Sequence, residues 1–135
     1  ILDMQLMPAI NRDIHKYLRT LEEVVVDTCI KDLHFPVEKA RVGRMPGFTG
    51  ASINTNIVPI ILIFYGAGVW VNDEVKIAAI GVKIMKYITM HGIAVNYDTN
   101  MRYFSNISPC GLTIGRPGTI AEFIDTTKFS KEHGL

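Results

Sequence analysis

The stretch from Val69 to Asn96 restricts the fold more than any other part of this sequence. It holds three apolar runs of strand length, separated by short polar connections. Asn72-Asp73 lies between the first two runs and predicts a hairpin, although Asn-Asp is a weaker hairpin signal than Asn-Gly. The pattern therefore predicts three consecutive strands, near residues 69–71, 76–84 and 87–96.

Alternation along the second of these strands assigns its side chains to two faces of a sheet. With regular pleating, one face carries Lys76, Ala78, Ile80, Val82 and Ile84. The other face carries Ile77, Ala79, Gly81 and Lys83. Regular alternation thus predicts that Lys76 and Gly81 lie on opposite faces.

Helical periodicity precedes this β region. Apolar residues recur at helical spacing from Ile14 to Val25, and Asn11 or Asp13 can cap the helix, so we expect an amphipathic helix from about Asp13 to Lys31. Shorter elements are a strand tail at 1–7, a short strand at 37–42, a turn or short helix at 98–104 and a short helix at 119–123. Together these elements predict an α/β fold in which helices back a mixed β-sheet.

Composition narrows the class of protein. The chain has 135 residues, of which 48% are hydrophobic and 20% charged, as expected for one globular domain. A net charge of +1 argues against electrostatic nucleic-acid binding. The apolar run at 57–65 is too short for a membrane helix, which needs about 20 residues, and residues 1–4 do not begin a signal peptide. Cys29 and Cys110 form no zinc-site pattern, and a reducing compartment is expected.

Cys110 is the first candidate for chemistry. It lies between Pro109, which restricts the backbone, and Gly111, which leaves the sulfur uncrowded. A nucleophilic cysteine needs a nearby cation or base, because the thiolate is the reactive form. The alternative is a buried, inert thiol, and the helical Cys29 fits that alternative better.

Four other residues have a functional and a structural interpretation. Lys76 precedes small apolar residues, so it is either a desolvated amine suited to acid/base work or a solvated strand-end lysine. His91 is either a general base or a structural histidine. Gly81 and Gly92 mark either a close approach by a ligand or a bulge. Trp70 is expected to be a core or hairpin residue.

Three blocks in order, at 68–83, 88–96 and 103–112, resemble the lipoyl(octanoyl) transferases, or octanoyl-[acyl carrier protein]:protein N-octanoyltransferases. The first contains Val-Trp-Val and Lys76, the second Met-His-Gly-Ile-Ala, and the third ends on Pro-Cys-Gly-Leu. The segment Tyr17-Leu-Arg-Thr-Leu-Glu-Glu is similar to the helix of that family. The resemblance implies a biotin/lipoate protein ligase-like fold, here as a single partial catalytic domain over 1–135.

The resemblance also implies a reaction. Octanoyl from octanoyl-acyl carrier protein passes to Cys110 as a thioester, and then to a lysine of the lipoyl domains of 2-oxoacid dehydrogenase E2 subunits or of the glycine cleavage H protein. Lys76 matches the residue that lowers the pKa of the cysteine and moves protons. The blocks that contact the acyl chain match Ala79, Ile80, Gly81, Gly92, Ile93 and Ala94, and His91 is a possible supporting residue. The family implies a monomer with no metal, cofactor or membrane partner.

Two departures from the family pattern bear on activity and location. The upstream Arg-Gly-Gly and Tyr-His-Gly-Pro-Gly-Gln block of the family is not found in this sequence. The stretch 51–68 separates Thr49-Gly50 from Val69-Trp70 and has the character of a translated intron or a gene-model error rather than of a loop. The insertion predicts a mitochondrial or plastid protein if the source is eukaryotic, and a cytoplasmic one if bacterial. The two functional hypotheses are an octanoyltransferase and an inactive fragment or non-catalytic module that binds acyl carriers or lipoyl domains.

Overall fold

A mixed β-sheet with one long helix on one face forms the framework of the molecule. The computed structural model describes residues 1–35, 67–72, 74–107 and 115–125, together with the backbone of 42–43. Within these residues the strands are β1 (Leu2–Asp3), β2 (Val42–Gly43), β3 (Gly68–Val71), β4 (Val75–Met85), β5 (Ile88–Val95) and β6 (Arg116–Pro117). The helix α1 covers Ile14–Asp27, and 3₁₀ turns cover Met4–Leu6, Met101–Asn106 and Ile120–Glu122.

The strand order confirms the prediction of a mixed sheet. The strands run β1-β5-β4-β3-β2, with β6 pairing with β4. The β4–β6 pair is parallel, whereas the other pairs are antiparallel. The β3–β4 hairpin confirms the prediction from Asn72-Asp73. Strand β5 confirms the third predicted strand, whose pairing with β4 was not predicted.

Helix α1 begins where the sequence predicts. The Asp13 carboxylate accepts hydrogen bonds from the backbone N–H groups of His15 and Lys16, at 2.8 and 3.1 Å. These bonds satisfy N–H groups that have no partner within the helix. A π-helical turn, Thr28–Asp32, follows α1 directly, and the predicted helix end near Lys31 falls within this turn.

Two apolar clusters fill the space between α1 and the sheet. One brings Val25, Cys29, Phe35 and Ile120 against Val69, Val71, Val75, Ile77 and Ala78. The other brings Met4, Ile10, Tyr17 and Leu18 against Ile80 and Val82. We call the sheet side that carries Val69, Val71, Ile77, Ala78, Ile80 and Val82 the core face.

The shorter predicted elements have different outcomes. The strand at the beginning of the chain is limited to Leu2–Asp3, because the backbone turns into a 3₁₀ helix at Met4. The predicted short helix near 119–123 is a 3₁₀ turn at Ile120–Glu122, and the prediction at 98–104 corresponds to Met101–Asn106. The predictions for 37–41, for the first sixteen residues of the 51–68 insertion, for the Pro-Cys-Gly element and for the tail after 127 lie outside the described residues. Gly68, the last residue of the predicted insertion, begins β3.

A β-bulge corrects the predicted position of Lys76. Val69 pairs with Ala78 and the next residue, Trp70, pairs with Lys76. Ile77 is therefore an extra residue on β4 with no partner position on β3. Ile77 and Ala78 therefore both pack into the core, where regular pleating would separate them. The prediction that Lys76 shares a face with Ala78 was wrong. The bulge places Lys76 on the opposite side of the sheet, with Ala79 and Gly81.

Candidate functional site

The sheet side opposite α1 carries most of the residues singled out from the sequence. We call it the site face and define it by Trp70, Lys76, Ala79, Gly81, Gly92 and Ala94. These residues alternate along their strands with core-face residues, and the β4–β5 register pairs Ala79 with Ala94 and Gly81 with Gly92. The bulge therefore brings together a lysine, a tryptophan and four small residues that regular pleating would have divided.

The paired glycines leave a bare patch on the site face. A Cβ atom added at Gly81 or Gly92 would meet no atom within 4 Å, apart from its chain neighbours. The register runs without a shift from Ala78 to Met85, so the interpretation of these glycines as a bulge was wrong. An exposed, unobstructed stretch of backbone is what the alternative, a close approach by a ligand, requires.

Ile80 and Ile93 point the other way. They pair with each other in register, and both pack against the second apolar cluster beneath α1. Of the six predicted acyl contacts, four thus lie on the site face and two in the core. Any contact of Ile80 or Ile93 with a ligand on the site face would use backbone atoms.

Lys76 is buried. Only 5% of the residue is exposed, so the interpretation as a solvated strand-end lysine was wrong. Its Nζ lies 5.5 Å from the centroid of the Trp70 ring, and its Cε lies beside Gly68. Burial disfavours the charged form of an amine, so a buried lysine gives up its proton more readily than one in water. This property suits buried lysines to acid/base chemistry.

Gly68 provides the space that the Lys76 stem occupies. A Cβ on Gly68 would lie 2.7 Å from Lys76 Cε and closer still to the Ala78 carbonyl oxygen. The Gly68 φ of 138° is also one that favours glycine. Its N–H donates a hydrogen bond of 3.1 Å to Oε1 of Glu22, a carboxylate buried on α1. Sequence reasoning missed Glu22, because a charged residue beside the helical stripe predicts exposure.

The chain that follows the Pro-Cys-Gly element is fixed beside Lys76. A Cβ on Gly115 would lie 2.8 Å from Cζ3 of Trp70, and its φ of 77° is left-handed. The next residues form β6, and the Gly118 N–H donates a 3.0 Å hydrogen bond to the Lys76 carbonyl oxygen. Further along, the Glu122 side chain accepts from the Thr119 N–H at 2.9 Å and caps the last 3₁₀ turn.

His91 has an unusual backbone. Its φ is 67°, within a strand whose pairing is otherwise regular, and its side chain is exposed. A left-handed conformation at a residue other than glycine costs about 1–3 kcal/mol. The exposed imidazole gives no support to a buried structural histidine, and a role as base stays a prediction.

The two cysteines differ in what the structure describes. Cys29 is fully buried in the core, and this burial raises the pKa of its thiol to about 11. The inert interpretation of Cys29 is therefore confirmed. Cys110 lies outside the described residues, between Ile107 and Gly115.

The described residues contain neither a metal-binding cluster nor a membrane-spanning helix. Their His, Cys, Asp and Glu side chains form no group of three that could hold a metal ion. In the same ranges, no helix is long and apolar enough to cross a membrane.

Comparison with known proteins confirms the resemblance. A family model described as the lipoyl protein ligase A/B catalytic domain matches residues 5–130. The octanoyltransferase of Nostoc punctiforme is 35% identical over 113 residues, which cover 84% of this chain and 38% of the relative. The octanoyltransferase of Prochlorococcus marinus is 38% identical over 117 residues, which cover 86% of this chain and 39% of the relative. The octanoyltransferase of Cytophaga hutchinsonii is 33% identical over 120 residues, which cover 85% of this chain and 39% of the relative.

The chain belongs to the lipoyl protein ligase A/B catalytic domain family. The mixed sheet with its helix agrees with that fold. The similar relatives are octanoyltransferases, as the three sequence blocks predict. The chain spans about two-fifths of the length of these relatives.

Proposed function

We propose that the protein transfers octanoyl groups in lipoate biosynthesis, from octanoyl-acyl carrier protein to a lysine of lipoyl-carrier domains. Family membership and the octanoyltransferase relatives support the reaction class. The observation that carries the proposal is the burial of Lys76 on the site face, next to β6 and Gly118. Octanoyl acceptance by Cys110 and proton handling by Lys76 are the two roles assigned.

The chemistry requires two exchanges of the acyl bond. In the first, the Cys110 thiolate attacks the thioester carbonyl of octanoyl-acyl carrier protein, forming a new thioester and releasing the carrier thiol. In the second, the amine of the acceptor lysine attacks the Cys110 thioester, forming an amide and releasing the Cys110 thiol. The Lys76 ammonium stabilises the thiolate in the first step and gives its proton to the departing carrier sulfur, which leaves Lys76 neutral. In the second step, the neutral Lys76 amine accepts the proton that the attacking amine loses and passes it to the departing Cys110 sulfur.

Chain connectivity permits this pairing. Gly115 is five residues after Cys110 and lies against Trp70, the ring that neighbours Lys76. Five extended residues span at most roughly 18 Å, so covalent geometry leaves Cys110 within reach of Lys76. The acyl chain would lie on the bare patch at Gly81 and Gly92, where small residues leave room for a chain of eight carbons.

Mass spectrometry of the intact chain tests the proposal. After incubation with octanoyl-acyl carrier protein, we expect an octanoyl adduct on the peptide that contains Cys110. Cys29 is the internal control, because its burial and raised pKa should keep it unmodified. A folded chain without the Cys110 adduct would show that this chain does not perform the first step.

A non-catalytic module, or an inactive fragment, is the second candidate. The departure from the family pattern at residues 51–68, which leads into β3, motivates it. Lipoyl-domain binding, measured by NMR titration, without any acyl transfer would support the binding module. The cellular compartment and the status of residues 51–68 as an insertion remain predictions, which a transcript sequence and localisation of the tagged protein would test.

A further inference from the structure

We infer that Trp70 is a positioning residue, which holds the Lys76 ammonium on the site face beside the backbone at Gly115. The inference rests on the proposed function, because it explains how Lys76 is held for acyl transfer. It concerns a residue that the sequence predicts only as part of the core or hairpin. Three observations carry it.

The first observation is the contact between cation and ring. Lys76 Nζ lies 5.5 Å from the Trp70 centroid, within the distance at which an ammonium is attracted by an indole face. Trp70 is fully buried and Lys76 is 5% exposed, so water screens this contact little. Desolvation strengthens the attraction, and tryptophan is the best of the aromatic partners.

The second observation is the register. Trp70 pairs directly with Lys76 across the bulge, and Gly68, two residues earlier on β3, lies beside Lys76 Cε. The ring and the glycine backbone therefore contact two parts of the same side chain, the ammonium and its aliphatic stem. A lysine held at both places has few rotamers available.

The third observation is the opposite contact of the ring. Gly115 approaches Cζ3 of Trp70 so closely that a Cβ there would lie 2.8 Å away. One rigid indole thus touches both the lysine and the backbone that leads away from Cys110. A side chain in this position fixes Lys76 relative to the backbone at Gly115.

The ring also opposes the effect of burial on the lysine. Burial favours the neutral amine, whereas the negative ring face favours the ammonium. Trp70 would thereby help to keep Lys76 charged, and the buried carboxylate of Glu22, which accepts from the Gly68 N–H beside the Lys76 stem, is the charged group from α1 that favours the same form. Loss of the ring face should lower the pH at which Lys76 loses its proton.

The single tryptophan of the chain permits a test that leaves the shape almost unchanged. Biosynthetic replacement by mono-, di- and tetrafluorotryptophan weakens the ring quadrupole in steps at one site only. NMR titration of ¹³Cε-labelled lysine measures the pH midpoint at which Lys76 loses its proton. The Lys76 signal is assigned by its absence in Lys76→Met. We expect the midpoint to fall stepwise by roughly 0.5–1 pH unit in all, a three- to tenfold change in the protonation equilibrium.

Alkylation of Cys110 by iodoacetamide gives the functional measurement, resolved by peptide so that Cys29 does not contribute. We expect Lys76→Met to slow alkylation at pH 7 roughly three- to tenfold, because a nearby cation favours the thiolate. Fluorination should slow it gradually towards that limit in the native sequence and have no effect in Lys76→Met.

The outcomes separate the inference from the proposed function. Suppose that fluorination changes neither the pH midpoint of Lys76 nor the alkylation rate of Cys110, while Lys76→Met slows alkylation. This result would overturn the role of Trp70 alone. No effect of Lys76→Met on alkylation would overturn both. Graded effects with no octanoyl adduct from octanoyl-acyl carrier protein would support the positioning role and refute the proposed transfer.

Discussion

The two faces of the central sheet use the same strands for opposite purposes. The core face presents β-branched and larger apolar side chains to α1, and residues such as Ile77 and Val69 are completely buried there. The site face presents paired glycines and alanines around a buried lysine and tryptophan. The residues of the core face are therefore constrained by close packing against α1, whereas the small residues of the site face keep its surface open.

The cysteines extend this comparison. Cys29 belongs to the cluster behind the core face, where burial raises the pKa of its thiol to about 11. Gly115, five residues after Cys110, lies against Trp70 on the site face. A thiol in the core is held inert by its surroundings, whereas the proposed function requires the Cys110 thiol to lie near Lys76, where a cation favours the thiolate.

The largest expected effect separates the two cysteines. Cys110→Ser should abolish the octanoyl adduct and lower transfer by at least about a thousandfold, because the nucleophile is lost. Cys29→Ala should retain the adduct and cost about 1 kcal/mol of stability through the small cavity it leaves. In the native sequence, Cys29 should alkylate slowly until the pH approaches 11, where its thiolate forms. Adduct formation that survives Cys110→Ser would remove the assigned nucleophile.

The second prediction concerns the core face. Ile77→Ala removes a fully buried side chain and should lower the free energy of unfolding by about 2–5 kcal/mol. Urea denaturation followed by Trp70 fluorescence measures this directly. Lys83→Ala, at an exposed position of the same strand, is the matched control and should change stability by less than about 0.5 kcal/mol. Similar losses for both variants would contradict the assignment of faces.

Sequence patterns were sufficient for those parts of the fold that depend on neighbouring residues. The Asp13 cap, the stripe of α1 and the β3–β4 hairpin follow from local spacing, and all three are present. The bulge at Ile77 was not predictable in this way, because it depends on how β4 pairs with β3. One extra residue there moved Lys76 to the other face.

Burial of polar groups was also outside the reach of local patterns. Glu22 and Lys76 are charged types that composition assigns to the surface, yet both are buried. The buried Glu22 carboxylate accepts a hydrogen bond from the Gly68 N–H, a partner of the kind that buried polar groups need. Lys76 was singled out only because small apolar residues follow it and because it matches a family motif. Which groups meet across the sheet had to come from the structure.

The third prediction tests the space on the site face. Gly92→Val adds a side chain where a Cβ meets nothing within 4 Å, so stability should change by less than about 1 kcal/mol. The same side chain would occupy the proposed acyl path and should slow Cys110 octanoylation roughly 10- to 100-fold, a few kcal/mol of lost binding. Iodoacetamide alkylation of Cys110 should be unaffected, because that reagent needs no acyl site. Equal slowing of both reactions would indicate a disturbed thiol.

The smallest expected effect concerns His91, where the backbone is strained at the border of the bare patch. Its φ of 67° is one that glycine adopts freely, so His91→Gly should raise the free energy of unfolding by about 1 kcal/mol. His91→Ala is the matched control, because it removes the imidazole and keeps the backbone penalty, and should give no such gain. If His91→Gly is more stable but transfers octanoyl more slowly than His91→Ala, the strain itself serves the site by fixing the backbone beside Gly92. If both variants lose activity equally, the imidazole is the group that matters. A stability gain in His91→Ala as large as in His91→Gly would remove backbone strain from the account of this face.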